Sequence, residues 1–182
     1  IEDYCKRIVE LKQDVYFTTE HGWGGDIFES KNLCNKYNLK CVYGCEGYIV
    51  KDASQKDNSN YHIIIIPRTD KARKKFNKIL TRANKEGYYY RPRLFLEDLL
   101  NCDKDDFYIT TACVAGLLRN EDSYNNIFIP LFKHYRENIM LEIQNHNVET
   151  QKEINRKALK LAKEYNLKII HANDSHYIYP ED

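Results

Sequence analysis

The chain has 182 residues and a mass of 21.7 kDa, which suits one domain of ordinary size. Its 28 Lys and Arg residues nearly balance its 27 Asp and Glu residues, so a globally basic nucleic-acid-binding protein and an acidic tail protein are both excluded. Hydrophobic residues make up 42% of the chain, too many for a disordered protein. No apolar run approaches the roughly 20 residues of a membrane span, and no segment resembles a signal peptide, so we expect no membrane contact.

The predicted elements alternate between helices and strands along the chain. The amphipathic helices are predicted over 2–13, 26–37, 72–83, 94–100, 124–135 and 150–165. The helices at Asp26 and Thr150 begin with a capping-box pattern, and Pro130 is expected to interrupt the helix that contains it. Six strands are predicted, over 15–19, 39–43 with an extension to 50, 61–66, 107–111, 138–143 and 168–172. This alternation predicts an α/β fold with a largely parallel sheet.

The six cysteines and the start of the sequence indicate where the protein is located and whether the chain is part of a longer one. The cysteines show no C-x-x-C spacing and do not by themselves predict a disulfide framework. Without an export signal, we expect reduced thiols and a cytoplasmic location. The sequence starts at Ile1 with a helical pattern already under way. We interpret it as a single domain over residues 1–182, cut from a longer polypeptide.

Residue types that bind metals follow several of the predicted strands. His21 follows the first strand, Glu46 the second, and Cys113 the strand that ends at Thr111; Asp174 and His176 follow the last. In a sheet of βα units, side chains that do chemistry gather past the carboxyl ends of the strands. One polar residue after a strand is usually ordinary loop composition, but five at equivalent positions indicate a site. Their mixed N, S and O donors suit Zn, Mn or Fe.

Several motifs occur in a characteristic order. They are Thr19-Glu20-His21-Gly22, Gly44-Cys45-Glu46-Gly47-Tyr48, Tyr61-His62, Gly87-Tyr88-Tyr89-Tyr90-Arg91-Pro92-Arg93, Ala112-Cys113-Val114-Ala115-Gly116, Asn173-Asp174-Ser175-His176-Tyr177 and Pro180-Glu181-Asp182. Over nearly its whole length the chain resembles the PHP (polymerase and histidinol phosphatase) domain at the amino end of bacterial DNA polymerase III alpha subunits, the C-family replicative polymerases. The first motif departs from the family's Thr-Asp-His-Gly in having Glu for Asp.

The resemblance implies a distorted seven-stranded (β/α) barrel that holds up to three divalent metal ions, Zn, Mn, Fe or Mg, in an open cleft. The metal ligands that it implies are His21, Glu46, His62, Cys113, Asp174 and His176. His62 would join them if residues 61–66 pair antiparallel with residues 47–50. Two weaker candidates are Glu20, as an acceptor that orients His21, and His146, as a residue lining the cleft. The family's first strand, with its His-x-His ligands, has no counterpart, so we expect that strand to be missing at the amino end.

The implied function is metal-dependent phosphoester hydrolysis of the 3′–5′ exonuclease or pyrophosphatase type, within a DNA polymerase that acts in DNA replication. The parent polymerase would supply the contact with DNA. One alternative is a non-catalytic scaffold that docks the proofreading exonuclease subunit. Another is a free-standing phosphatase acting on a small phosphoester. The YYRPR and NDSHY elements favour a polymerase parent over that phosphatase.

One stretch has a strong local charge bias. Residues 68–93 contain ten Lys and Arg residues, and the run Tyr88-Tyr89-Tyr90 lies beside the last two of them. A basic patch with aromatic residues is a candidate surface for single-stranded nucleic acid. A solvated helix face followed by a tyrosine-rich turn is the more common explanation for such a pattern, and the sequence alone favours it.

Overall fold

The computed structural model describes residues 1–179 and 181. The helices are α1 (Glu2–Glu10), α2 (Ile27–Lys36), α3 (Asp70–Lys85), α4 (Leu96–Leu100), α5 (Glu121–Ser123), α6 (Ile129–Tyr135) and α7 (Glu149–Tyr165). The strands are β1 (Val15–His21), β2 (Lys40–Val50), β3 (Tyr61–Pro67), β4 (Tyr88–Tyr89), β5 (Arg91–Phe95), β6 (Phe107–Thr110), β7 (Ile139–Gln144) and β8 (Ile169–Ala172). Among the described residues, none of the helices combines the length and apolar character needed to cross a membrane.

The strands form one curled, mixed sheet in the shape of a half-barrel. Seven of them run in the order β4-β5-β2-β3-β6-β7-β8, and β1 pairs in parallel with the amino-terminal half of β2. The predicted α/β class and barrel-type architecture are confirmed, and all six predicted strands are present. The sequence did not predict β4 and β5, which form a tight hairpin around Tyr90.

Among the described strands, four pairs are parallel, as the predicted largely parallel sheet requires, and three pairs are antiparallel, which the sequence predicted only in part. Antiparallel pairing joins β2 to β3, β3 to β6 and β4 to β5. A parallel neighbour requires a crossover connection, usually a helix, but the loop over residues 51–60 contains none. As a result β3 returns antiparallel beside β2, which confirms the pairing of residues 47–50 with 61–66 expected from the sequence.

The two faces of the central strands differ in character. One face carries apolar side chains that belong to the main core, together with residues of α3, α4, α6 and α7; these include Cys45, Ile49, Ile63, Ile65 and Ile109, all with no solvent exposure. Side chains alternate between faces along a strand, so the residues between them point to the opposite face. That opposite face carries the polar residues Glu46, His62 and Thr110. It is therefore the face on which a functional site is expected.

The helix ends test three sequence predictions. Asp26 is the N-cap residue of α2 but makes no side-chain capping hydrogen bond, and α7 begins after Val148, which places Thr150 inside the helix. The helix start at Asp26 is therefore confirmed, although without the side-chain bond of a capping box. The start at Thr150 is wrong by two residues, because spacing alone does not identify the residue at which a helix starts. The expected interruption at Pro130 is confirmed: a π-helical turn over Tyr124–Phe128 precedes it, and the proline lies in the first turn of α6.

Candidate metal centre

Strand register brings three of the predicted site residues onto one face of the sheet. His21 is the partner of Glu46 in the parallel β1–β2 pair. On the other side of β2, Glu46 is opposite Ile64, and His62 lies two residues from Ile64 on the same face of β3. Directly opposite and diagonal neighbours in a ladder are close enough for side chains to touch. The register alone therefore directs His21, Glu46 and His62 toward one point.

The side chains meet at that point. The Nδ1 atom of His62 is 2.9 Å from Oε1 of Glu46, and the Nε2 atom of His21 is 3.2 Å from Oε2 of the same carboxylate. One potential ligand atom from each of the three residues lies within 4.8 Å of the other two. Glu46 is buried, while the His21 side chain is 45% exposed. The cluster is thus open to solvent on the His21 side.

Burial and pairing act in opposite directions on the ionisation of these groups. Burial alone would raise the pKa of Glu46, but the hydrogen bond from His62 and the charges of His62 and His21 outweigh it and lower the pKa. Burial would likewise lower the pKa of His62, but its hydrogen bonds with Cys113 and Glu46 raise that pKa to about 9. At neutral pH the metal-free cluster therefore contains a carboxylate and an imidazolium ion that stabilise each other.

Cys113 joins the cluster from the loop after β6. Its Sγ atom lies 3.5 Å from Nδ1 of His62 and 3.8 Å from Oε1 of Glu46. The preceding residue, Ala112, has a left-handed backbone with φ of 56°, which turns the chain sharply at the end of β6. The loop is held against β3 by a hydrogen bond from the backbone N–H of His62 to the carbonyl of Ala115.

Asp174 and His176 approach from the loop after β8. The ring centroid of His176 is 5.9 Å from that of His21, and Nδ1 of His176 is 2.8 Å from the carbonyl oxygen of Asp174. Asp174 itself has a left-handed backbone, with φ of 51°. Both side chains line a cavity of about 570 Å³ together with His21 and Glu46. All six residues predicted as metal ligands are therefore near this cleft, although only His21, Glu46 and His62 form the compact group.

The two weaker candidates lie in different surroundings. Glu20 lines the same cavity, but its carboxylate accepts a 3.2 Å hydrogen bond from Thr18. His146 is exposed and is not among the residues that line the cavity. The carboxylate found beside the His21 ring is that of Glu46, at 3.2 Å.

Sequence reasoning missed Glu142, a buried carboxyl group on the polar face of β7. It is 2% exposed and accepts hydrogen bonds from the Thr110 hydroxyl at 2.7 Å and from the Gln144 amide at 2.8 Å. Burial raises the pKa of Glu142, and the charges of Glu46 and Asp174 add to that rise. The available signal was a glutamate and a glutamine two residues apart in an otherwise apolar strand, because this spacing places both on one face.

The donor set of the cluster fits a divalent transition-metal ion. Two imidazole rings and one carboxylate converge within metal-binding reach, with a thiol beside them. Imidazole, carboxylate and thiolate are the ligands that Zn, Fe and Mn sites use. The cleft is open on the side of His21, which leaves room for a substrate and water.

Comparison with known proteins identifies the class of protein to which this fold and this cleft belong. Residues 1–146 match the PHP domain family, and the chain belongs to that family. It is similar to DNA polymerase III subunit alpha of Aquifex aeolicus and of Borreliella burgdorferi, with 29% identity to each over 199 and 195 residues. Each of these matches covers 100% of this chain and 17% of the relative, so the chain spans about one sixth of their length.

A solved structure supports the fold. It is a protein from Bifidobacterium adolescentis, provisionally assigned as a metal-dependent phosphoesterase, and it superposes with a TM-score of 0.58 at 12% identity. The superposition covers 98% of this chain and 83% of that protein. At this level of identity, the similarity establishes the shared architecture.

Proposed function

We propose that this chain is the metal-dependent phosphoesterase unit of a DNA polymerase III alpha subunit that acts in DNA replication. The observation that carries the proposal is the convergence of His21, Glu46 and His62 within 4.8 Å in an open cleft. The similarity to polymerase alpha subunits supports the replicative context, and the membership of the PHP family supports the chemistry. The reaction that fits both is hydrolysis of a phosphodiester or phosphoanhydride, of the 3′–5′ exonuclease or pyrophosphatase type.

The residues proposed to hold the metal ions are His21, Glu46, His62, Cys113, Asp174 and His176. A divalent ion held there supplies Lewis-acid chemistry, which lowers the pKa of the attacking water and neutralises charge on the phosphoryl oxygens. Glu46 is the central residue because its buried carboxylate contacts two imidazole rings and so orients both. The Tyr48 ring packs edge-on against His62, with centroids 5.3 Å apart, and limits the movement of that ring.

The test is hydrolysis by the purified protein with Mn²⁺ or Zn²⁺. The substrates are a single-stranded oligonucleotide labelled at its 5′ end, inorganic pyrophosphate and a chromogenic phosphomonoester. We expect metal-dependent loss of nucleotides from the 3′ end or cleavage of pyrophosphate, abolished by Glu46→Gln and by Asp174→Asn. The matched control is Glu29→Gln, an exposed carboxylate on α2 that does not line the cavity, and its activity should remain close to that of the wild type.

Other outcomes would overturn the proposal. Cleavage that persists in Glu46→Gln would place the chemistry elsewhere. A protein that binds metal but hydrolyses none of the three substrates would support the scaffold that docks a proofreading exonuclease subunit. Hydrolysis of the phosphomonoester alone would support a phosphatase that acts on a small molecule.

A further inference from the structure

The structure divides the basic stretch over residues 68–93 into two parts. On and beside α3, most cations are paired with carboxylates: Arg68 with Asp105, Arg73 and Lys74 with Asp70, Lys75 with Asp106, and Arg82 with Glu86, Glu97 and Asp98. That part is a solvated, ion-paired helix face, in agreement with the interpretation favoured from the sequence. In the hairpin of β4 and β5, the buried Arg93 lies 3.9 Å from Asp57, whereas the exposed Arg91 pairs with no carboxylate among the residues that the structure describes.

Arg91 is linked to the candidate metal centre through one aromatic ring. Its Nη1 atom donates a 2.6 Å hydrogen bond to the Tyr48 hydroxyl, and its guanidinium group lies 4.7 Å from the centroid of the Tyr48 ring. The same ring also neighbours His62 and His21, with centroids 5.3 and 6.2 Å away. A guanidinium group without an acidic partner therefore lies one ring away from the metal cleft, a suitable position for a second phosphate group.

Tyr90, at the tip of the same hairpin, combines two unfavourable features. It has a left-handed backbone with φ of 57°, and its side chain is 77% exposed. Glycine or asparagine is the ordinary choice for such a turn position, and a bulky residue there costs about 1 kcal/mol or more in strain. An exposed aromatic ring gains little from burial to offset that strain. Turn formation alone does not explain a tyrosine at this position.

The ring of Tyr90 packs against a neighbouring aromatic ring that is itself held by an arginine. The Tyr89 ring packs against it edge-to-face at 4.7 Å, and the buried guanidinium group of Arg93 lies 5.3 Å from the centroid of Tyr89. A second exposed aromatic residue, Trp23, is 58% exposed and lies two residues after His21. The hairpin and the Trp23 loop touch, because a Cβ atom on Gly22 would be 3.0 Å from Pro92.

We propose that Tyr90 and Arg91 bind single-stranded nucleic acid, with Tyr90 stacking on a base and Arg91 contacting a backbone phosphate of a strand that enters the metal cleft. The proposal deepens the proposed function, on which it rests, by naming a polynucleotide as the substrate class. Base stacking on aromatic rings next to cations is the general mode of binding to single strands, whereas stacked bases in a duplex are not available for it. A strand of several nucleotides can contact the cleft with one phosphate and Tyr90 with a base at the same time, so it makes more contacts than a mononucleotide does.

The test measures binding in EDTA, so it does not depend on hydrolysis. Trp23 is the only tryptophan of the chain and reports on ligands at the edge of the cleft through its fluorescence. The probes are a short oligodeoxythymidylate, the same strand in a duplex, and thymidine monophosphate. We expect the single strand to bind at least about tenfold more tightly than the other two, with Tyr90→Ala weakening its binding about tenfold.

Matched variants separate stacking from structure. Tyr90→Phe keeps the ring and should bind within about twofold of the wild type. Tyr90→Gly removes the ring and also relieves the backbone strain, so affinity should fall while the free energy of unfolding stays the same or rises. Arg91→Gln should lower the slope of log affinity against log salt by about 0.7, the value for one phosphate contact on a single strand.

The control is Tyr108→Ala, an exposed tyrosine that pairs with Ile66 near the far end of β3 from His62. Its affinity for the single strand should equal that of the wild type. Equal binding of the single strand and the mononucleotide, or unchanged binding in Tyr90→Ala, would overturn the inference. Tight, Tyr90-dependent binding by a protein that hydrolyses nothing would contradict only the proposed function.

Discussion

Glu46 and His62 are diagonal neighbours on the polar face of the β2–β3 ladder, and they are joined by a 2.9 Å hydrogen bond between Oε1 and Nδ1. The second oxygen of the same carboxylate lies 3.2 Å from His21 on the opposite side of β2. Glu46 on β2 therefore contacts both His21 on β1 and His62 on β3. This position makes it the most informative residue to change.

Glu46→Gln should weaken the binding of Zn²⁺ or Mn²⁺ by about tenfold to a hundredfold or more. Removing a residue that only hydrogen-bonds to a metal ligand already causes a loss of this size. The amide cannot supply negative charge to an ion between two imidazole rings. The measurement is competition with a chelator of known affinity at neutral pH. Glu29→Gln removes an exposed carboxylate from α2, outside the cavity, and should leave the affinity unchanged. Equal affinity of wild type and Glu46→Gln would exclude Glu46 as a ligand.

Metal affinity should increase with pH between 6 and 8. In the metal-free protein the pKa of His62 is raised to about 9, so the ring carries a proton that a metal ion must displace. If that one proton is lost on binding, the apparent affinity rises about tenfold per pH unit in this window. The same chelator competition at several pH values checks this slope. An affinity that is constant between pH 6 and 8 would mean that His62 is not a ligand.

The stability of the metal-free protein should change with pH in the opposite sense. Because the pKa of His62 is raised above its ordinary value of 6.5, its pairing with Glu46 stabilises the fold fully below that value. The contribution is lost as the pH rises through about 9. Urea unfolding in EDTA should therefore show a free energy of unfolding that decreases from pH 6.5 to 9. This decrease should be smaller in Glu46→Gln, and an identical decrease in both proteins would contradict the pairing.

The sequence predicted the strands that carry the site, because β1, β2 and β3 are apolar runs followed or interrupted by single polar residues. It also predicted the antiparallel return of residues 61–66, and that pairing sets the approach of His62 to Glu46. The hairpin of β4 and β5 was not predictable in the same way. Its strands are two and five residues long and include Pro92 and two arginines, residues that seldom indicate a strand.

Glu142 shows a different limit of sequence reasoning. The spacing of Glu142 and Gln144 places both on one face of the strand, but only the register of β6 and β7 decides that Glu142 meets Thr110. The register depends on contacts between segments that are more than thirty residues apart in the chain. No local pattern contains that information.

Arg93→Lys should lower the free energy of unfolding by about 2–4 kcal/mol, because up to two buried carbonyl groups would lose their partner. Arg93 is 2% exposed, and its guanidinium group donates to the carbonyl oxygens of Gly87, Asp57 and Ala53 at 3.1, 3.1 and 2.9 Å. The single ammonium group of lysine cannot reach all three directions. Urea unfolding measures the effect, and Arg91→Lys, an exposed change two residues away, should stay within about 0.5 kcal/mol of the wild type. Equal losses in both variants would contradict the role of the buried guanidinium group.

Glu142→Gln should leave the metal-free protein at least as stable as the wild type at pH 8, although it changes a buried residue beside the cleft. Burial raises the pKa of Glu142. This effect is larger than the lowering of the pKa by the hydrogen bonds with Thr110 and Gln144. A carboxyl group with a raised pKa stabilises the fold below its unfolded pKa of 4.5, and this contribution is lost as the pH rises through the folded value.

Glutamine has the shape of the protonated side chain and remains neutral at every pH. Its carbonyl can accept from Gln144 while its amide donates to the Thr110 hydroxyl, so both partners stay satisfied. Urea unfolding in EDTA at pH 5 and pH 8 should show that the variant gains stability relative to the wild type at the higher pH. Glu153→Gln, an exposed change on α7, should show no such gain. If Glu142→Gln instead loses stability as the pH rises, the folded protein depends on an ionised Glu142, and the carboxylate must have a cationic partner in the cleft.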